Sequence, residues 1–412
     1  MRNIVSILLA LVTALPVKAQ SGAARVVILP RDPAKQILTH EYELGLVVSG
    51  KYTLLHGAEA VKWLRKAAEQ GAPIAQNELG FLYEHGINVV SSPQKALELY
   101  RAAAEQGFPW AQSNLAHMYE TGKGTRRDYD QALKLYRLAA ERGVAAAQNS
   151  LGFMSERGLG VRRDYSEAVQ WYTKAARQGL PQAESNLGLM YERGAGVAQD
   201  YGRAGELYRS AAEKGHAVAQ DNLGYLYCLG KGVPQSYQDA LHWFRKAADA
   251  GLASAENNLG WMYEHGIGVR QNYAEAFKWY TASAVKGEVA AANNLANMYV
   301  VTRNYAVAFI WYKKAAEDGS VAAQGNLGLL YADGRGVALD YTQAYKWLSI
   351  ASGNGHPDAA RKLVKLKHIM PSKQVRKAEL LASQWIAEQK KIFKDSLTTS
   401  QPSLESERLI QP

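Results

Sequence analysis

Apolar positions along most of this chain recur at helical spacing in two alternating phases, separated by short glycine-rich links. Leu-Gly or Leu-Ala stands at Leu79, Leu115, Leu151, Leu187, Leu223, Leu259, Leu295 and Leu327, in six steps of 36 residues and then one of 32. Pairs of small residues beginning at Ala67, Ala103, Ala139, Ala175, Ala211, Ala247, Ser283, Ala315 and Ala351 keep the same ruler. Both series lose four residues between Leu295 and Ala315, so the deletion lies inside one unit. A weaker copy, Leu44-Gly45, extends the array to about nine units over residues 37–355. Such a period predicts one supersecondary element copied many times.

The unit predicts two helices. In the first, Ala183, Leu187, Met190 and Tyr191 fall on one face of a 3.6-residue period, and Gly194 stops the run. In the second, Ala168, Tyr172, Ala175 and Ala176 repeat that spacing, and Gly179 follows as a C-terminal glycine. Asp164 with Glu167, and Asn272 with Glu275, supply capping-box positions at its start. The link is a Gly-x-Gly-Val stretch such as Gly158-Leu159-Gly160-Val161. Small residues at Gly188 and Ala175 suit close helix approach, with Trp171 and Tyr172 expected to cover the neighbouring unit. No unit can bury its stripe alone, so stacking is obligatory and an α-solenoid follows. Around Val300 to Tyr305 the Gly-x-Gly link is missing, which predicts a shorter turn and a local change of twist.

The pattern Ala-Gln-x-Asn-Leu-Gly-x-Met-Tyr-x-x-Gly-x-Gly-Val-x-x-Asp-Tyr-x-x-Ala-x-x-Trp-Tyr-x-x-Ala-Ala-x-x-Gly runs nearly whole from Ala183 through Gly215 and again from Ala255 through Gly287. It resembles the Sel-like repeat family, which is related to tetratricopeptide repeats but has a longer link between its helices. The resemblance implies an all-α fold, a right-handed solenoid of about nine helix-turn-helix repeats. The stretch from Met370-Pro371-Ser372-Lys373-Gln374 to Trp385 is similar to the C-terminal capping helix of exported bacterial members. Departures are Ser155 for the usual Tyr, Cys228 where most units have Glu, and the shortened unit after Leu295.

Both ends of the chain differ from the middle. Arg2, the apolar stretch Ile4 to Leu15 and Val17-x-Ala19 have the form of a secretory signal over residues 1–19, with cleavage before Gln20. A linker over 20–36 precedes the repeats, and no later segment is apolar enough to span a bilayer. The protein is therefore expected to be exported, periplasmic or secreted, and a monomer. The formal charge of the chain is +10, but it is not evenly spread. Residues 356–394, expected to form basic capping helices, carry ten Lys and Arg against three Asp and Glu, a net of +7. The tail 395–412, expected to be disordered, carries −2, and residues 20–355 are left with +3. That distribution argues against nucleic acid as a partner. The cap charge is taken as a mainly solvated face, with binding to anionic membranes as the alternative.

Candidate chemistry is sparse. His40-Glu41 lacks the second His of a zinc-protease motif, Leu44 standing in its place. His85 and His265 hold equivalent places 180 residues apart, too far for one metal. Gly122-Lys123-Gly124-Thr125 and Gly230-Lys231-Gly232-Val233 imitate phosphate loops but are inter-helix links following helices. Cys228, with His216 or His242 as nearby bases, is read as a partly exposed spare thiol on a helix end rather than a nucleophile. The chain has one Cys, so no disulfide framework forms, and the cysteine-paired members of the family associated with penicillin binding are not matched. No catalysis, cofactor or metal is expected.

A surface remains. The residue two past each Leu, about 200° round the helix, is Phe81, His117, Phe153, Leu189, Tyr225, Trp261, Asn297 and Leu329 in turn. The residue before the Leu is Asn114, Asn186, Asn222, Asn258, Asn294 and Asn326 in six of eight units. In tetratricopeptide-like folds the first helices line the concave side, and Asn there clasps a peptide backbone or carboxylate. Bonds between neighbouring repeats are the alternative role for these amides, and both can coexist. Phe81, Phe153, Tyr225 and Trp261 are expected off the packed stripe, as anchors for a protein or peptide such as an envelope sensor or host protein. Cell-wall glycan or peptide binding is the second possibility, and a hydrolase the third.

Overall fold

In a computed structural model, the described residues are 15–18, 23–26, 43–48 and 51–399, with side chains described from 57 to 392. The expected signal, linker and tail therefore lie largely outside the described residues. Four short strands come first: β1 (Leu15–Lys18) pairs antiparallel with β2 (Ala23–Val26), and β3 (Glu43–Val48) with β4 (Lys51–His56). The weak repeat copy at Leu44-Gly45 is thus corrected, because Leu44 pairs with Leu55 in a strand ladder instead of opening a helix. The segment is rich in Val, Leu and Tyr, carries Gly45 and Gly50, and lacks the alanines of the other units. Those residues favour a strand pair over a helix.

Helices fill the rest. They are α1 (Gly57–Glu69), α2 (Pro73–His85), α3 (Pro93–Glu105), α4 (Pro109–Thr121), α5 (Tyr129–Glu141), α6 (Ala145–Arg157) and α7 (Tyr165–Arg177), followed by α8 (Pro181–Arg193), α9 (Tyr201–Glu213) and α10 (Ala217–Leu229). Then come α11 (Tyr237–Asp249), α12 (Ala253–His265), α13 (Tyr273–Val285), α14 (Val289–Val301), α15 (Tyr305–Glu317), α16 (Val321–Asp333) and α17 (Tyr341–Gly353). Two last helices, α18 (Ala359–Ile369) and α19 (Ser372–Thr399), end the series, so helix continues past the expected boundary at 394. The chain divides into two compact units, Met1–Ala183 with Ala195–Val197, and Glu184–Gly194 with Ala198–Pro412.

Local chemistry accounts for the helix ends. Asp164 accepts the amide of Glu167 at 3.0 Å, and Asn272 that of Glu275 at 3.2 Å, as the capping positions predict. Gly158 and Gly160 take φ of 71° and 67°, the left-handed region open to glycine. The second glycine of the link has a further duty. At Gly232, φ is 69°, and an added Cβ would run into the backbone of Tyr201, the first residue of α9 in the preceding repeat. In the shortened unit only three residues separate α14 from α15, Arg303 takes φ 61°, and Asn304 caps α15.

Within most helix pairs, one ring fills the space above a small residue, and in the last pair Leu348 takes that place over Gly328. An added Cβ at Gly152 would lie 2.7 Å from the Tyr172 ring, and one at Gly260 would lie 2.6 Å from Tyr280. Tyr172 thus packs within its own unit, not over the next one as expected, while Trp171 packs against a cluster containing residues of α5 and α6. The hydroxyl then finds an acid: Tyr100 donates to Glu84 at 2.9 Å, Tyr136 to Glu120 at 2.7 Å, and Tyr172 to Glu156 at 2.8 Å. In the second unit Tyr208 donates to Glu192 at 2.8 Å and Tyr280 to Glu264 at 2.7 Å. Burial, and then the neighbouring carboxylate, hold the Tyr100, Tyr136 and Tyr172 phenols well above their ordinary pKa.

Where the acid is absent, its donor is absent or turns elsewhere. Cys228 stands at the Glu place and Phe244 at the Tyr place of one repeat, and Ala332 and Leu348 hold these places in the last. Tyr312 of the shortened unit donates instead to Asn297. Cys228 is also corrected: it is buried, 4% exposed, among Ala240, Phe244 and Met262. Burial, aided by Asp221, pushes its thiol up to about 12, which removes the thiolate a nucleophile needs.

The last two helices close the second unit. Leu366 and Met370 from the α18 end, with Val375 and Ala378 of α19, form one buried cluster with Ala344, Tyr345, Leu348 and Ala351 of α17. Trp385 meets Trp347 edge-on at 5.4 Å.

Two outcomes follow. Cys228→Glu places a carboxylate against Phe244 with no hydroxyl to bind it, and should cost about 3–5 kcal/mol. Adding Phe244→Tyr should recover much of that loss, measured by denaturant unfolding of both variants. A chain ending at Gly355 should aggregate and melt lower than the full chain. Sedimentation and melting that match the full chain would contradict the capping role.

Candidate functional site

The residues expected to bind a partner lie on the first helix of each repeat, and the structure sorts them into two groups. The amides face the preceding repeat. Asn114 Nδ2 donates to Asn77 Oδ1 at 2.9 Å in the first unit. In the second unit Asn258 donates to Asp221 Oδ1 at 3.0 Å, Asn294 to Asn257 Oδ1 at 3.1 Å, and Asn326 to Asn293 Oδ1 at 3.4 Å. Asn222 and Asn258 are 3% and 1% exposed, while Asn114, Asn186, Asn294 and Asn326 are half-buried. Repeat-to-repeat bonding is therefore the observed use of Asn114, Asn258, Asn294 and Asn326.

Their acceptors are the residues sequence reasoning missed. Asn77, Asp221, Asn257 and Asn293 sit two residues before the Leu, and Ser254 Oγ adds a second bond to Asp221 at 2.9 Å. A column-by-column comparison of repeats contained the signal, since Ser113, Asn257 and Asn293 precede Asn114, Asn258 and Asn294, although Gly325 precedes Asn326. A neighbouring column shows paired exchange. Gln76, Gln112, Gln148, Gln220 and Gln324 donate to carbonyls near the end of the preceding helix, at Ala68, Ala104, Ala140, Ala212 and Ala316. Where this Gln becomes Glu184 or Glu256, a Lys stands 30 residues on. Lys286 Nζ lies 2.7 Å from Glu256 Oε1, and Lys214 pairs with Glu184.

The aromatic series is half-buried rather than free of the packed stripe. Phe81 packs against two core clusters of the first unit, and Trp261 against two of the second. Tyr225 packs against the cluster built on Phe244 and Met262. The physical reason is the stagger of the stack: the next repeat's first helix reaches this side of the ring. Leu189, in the same place, is 9% exposed. Each exposed ring edge still meets a partner, Phe81 with His85 at 4.2 Å and Trp261 with His265 at 5.0 Å, while Arg157 lies 5.8 Å over Phe153. His85 and His265 each bond a carbonyl four residues back on their own helix, at 3.0 Å.

Among the described residues, Asn222 Oδ1, Asn258 Oδ1 and Trp261 Nε1 are buried without a hydrogen-bond partner, as are Gln112 Oε1, Gln220 Oε1, Glu184 Oε2 and Glu256 Oε2 of the neighbouring column. Asn258 and Trp261 are three residues apart on α12, so an acceptor and a donor share one side of that helix. Among the described residues no group of three His, Cys, Asp or Glu could hold a metal ion, and no helix is long and apolar enough to cross a membrane. His216, named as a base for Cys228, instead caps α10 by accepting the Ala219 amide at 3.3 Å, and burial lowers its pKa.

Comparison with known proteins agrees with this geometry. The chain is similar over 86% of its length, at 32% identity and TM-score 0.57, to 84% of c5321, a protective antigen present in uropathogenic Escherichia coli strains displaying an SLR fold. It is similar over 55% of its length, at 36% identity and TM-score 0.52, to 94% of a Sel1 repeat protein from Oxalobacter formigenes. None of the curated proteins matches it. The Sel1 repeat model matches residues 50–71, 73–108, 111–144, 145–180, 181–216, 217–252, 253–287, 289–320 and 321–356. The first match holds a single repeat helix, α1, and the other eight each hold a pair. With nine matched repeats, eight of them built as helix pairs, this chain belongs to the Sel1 repeat family.

Proposed function

We propose that this protein is a non-catalytic interaction scaffold whose first-helix faces hold an extended segment of a partner protein. Sel1 repeat proteins are generally protein-interaction scaffolds. The observation that carries the reading here is the pair of half-buried rings, Tyr225 on α10 and Trp261 on α12, held at the same place of consecutive repeats in the second unit. Tyr and Trp are residue types that dominate interface energetics, and both rings remain partly exposed. Phe81, Phe153, Asn114, Asn186, Asn294 and Asn326 extend the same face within their own units.

Export to the periplasm or cell exterior belongs to this reading, supported by the form of residues 1–19 and by the similarity to a protective antigen. An envelope sensor or a host protein is then the partner class, and a monomer is the working form. Capture from envelope and host extracts identifies the partner. Against it, Tyr225→Ala with Trp261→Ala should cost about 2–4 kcal/mol of binding, together with some stability, since both rings pack on cores. Trp261→Phe separates the effects. It keeps an aromatic face but sheds part of the indole, and should weaken binding less than the Ala pair does, with only a small loss of melting from the two clusters the indole fills. Normal binding by both variants would move the site elsewhere.

A further inference from the structure

The cap carries a charge pattern that closing the second unit does not require. On α19 the face turned to α17 is small and apolar, with Val375, Ala378 and Ala382 buried. The opposite face reads Lys373, Lys377, Leu380, Gln384 and Lys391, spaced so that all lie along one line of the helix, and all are exposed. On α18 Arg361, Lys362, Lys365 and Lys367 occur with no Asp or Glu between residues 359 and 369.

The acids of the cap are placed differently from its bases. Glu379 accepts a bond from the Tyr345 hydroxyl at 3.3 Å, Glu388 faces Lys346 of α17, and Asp358 pairs with Arg361. Among the described side chains the remaining cap bases have no carboxylate within ion-pair distance. Large apolar side chains stand out between these cations. Val364 is 58% exposed, Ile369 60%, Leu380 58% and Ile392 53%.

We propose that the outward face of α18 and α19 docks on an anionic lipid surface, its lysines meeting acidic headgroups while Leu380, Val364 and Ile369 enter the headgroup region. This goes beyond the scaffold reading and does not rest on it. Lysine and arginine near an acidic leaflet are attracted individually, and the attractions accumulate over a polybasic segment. Interleaved apolar side chains add a contribution that depends on the interface and not on charge. A nucleic acid fits this surface less well, because the aliphatic side chains would lie stranded against phosphates. Among the described side chains these faces also lack exposed aromatics for base stacking, the tryptophan of α19 being half-buried against Trp347. The lipid surface would therefore be held by the cap, away from the proposed partner-binding helices α10 and α12 in sequence.

The test is cosedimentation of the full chain with vesicles of phosphatidylglycerol mixed into phosphatidylcholine, against phosphatidylcholine alone. The protein should pellet with the first and not the second, and added salt should release it. Lys373→Glu with Lys377→Glu and Lys391→Glu should weaken vesicle binding by about tenfold or more, with an unchanged melting curve. If charge reversal lowers melting, the same positions changed to Gln give the comparison on a folded protein. Leu380→Ser with Val364→Ser should weaken binding while leaving its salt dependence in place. Equal pelleting with neutral vesicles overturns the proposal, as does undiminished binding by a folded triple variant. Duplex DNA or polyglutamate that holds the protein more tightly than the acidic vesicles would overturn it too, reassigning the face to another polyanion.

Discussion

In six of the eight links between paired helices the stack depends on a close approach of a glycine to the start of a helix in the preceding repeat, where a side chain would clash. In the second unit the second glycine of the link between α10 and α11, Gly232, lies directly on the first residue of α9 in the repeat before it. No side chain intervenes, so the contact sets the spacing of consecutive repeats, and the side-chain bonds between them are arranged around that spacing. Asn258 reaches Asp221 and Gln220 reaches the Ala212 carbonyl across the resulting interface. The shortened unit shows what the link does. It has no glycine pair, and Tyr273, at the start of the helix such a link would cover, is 59% exposed, against 39% for the equivalent Tyr237.

Inside most helix pairs the constraint is different, a ring seated on a Gly or Ala, with its polar tip bonded to an acid in five of them. This arrangement uses tyrosine as a spacer of fixed length, apolar along its body and satisfied at its end. It explains why Glu and Tyr change together. A carboxylate retained opposite Phe244 would be buried without its donor, so the repeat with Phe244 carries Cys228, and the repeat with Leu348 carries Ala332. The same logic couples Glu184 to Lys214 and Glu256 to Lys286 across repeats. These exchanges are visible within one chain because each repeat is an independent sample of the same packing problem.

Much of the fold was legible in the sequence for that reason. The 36-residue ruler located α2 to α17, the capping positions at Asp164 and Asn272 marked helix starts, and the missing link after Val300 marked a short turn. The β3–β4 pair was not legible as a strand ladder, because Leu44-Gly45 imitates the repeat while its flanking Val and Tyr residues carry no repeat signal. The site was legible only in outline. Spacing puts Asn258 and Trp261 on the first helix, but it does not reveal that the next repeat leans over Trp261 or that Asp221 already holds one end of Asn258. Likewise Cys228 sits near a helix end in sequence, yet the adjacent Phe244 and Met262 enclose it.

The most direct test compares two glycines of similar backbone conformation. Gly232 has φ 69° and an added methyl group would run into the Tyr201 backbone, whereas Gly215 has φ 89° and open space around it. Unfolding of Gly232→Ala and Gly215→Ala should show both destabilised by the left-handed backbone, about 1–2 kcal/mol each. Gly232→Ala should lose about 1–3 kcal/mol more, the range for overpacking. Equal losses in the two variants would contradict the claim that link-to-backbone contact sets the stacking.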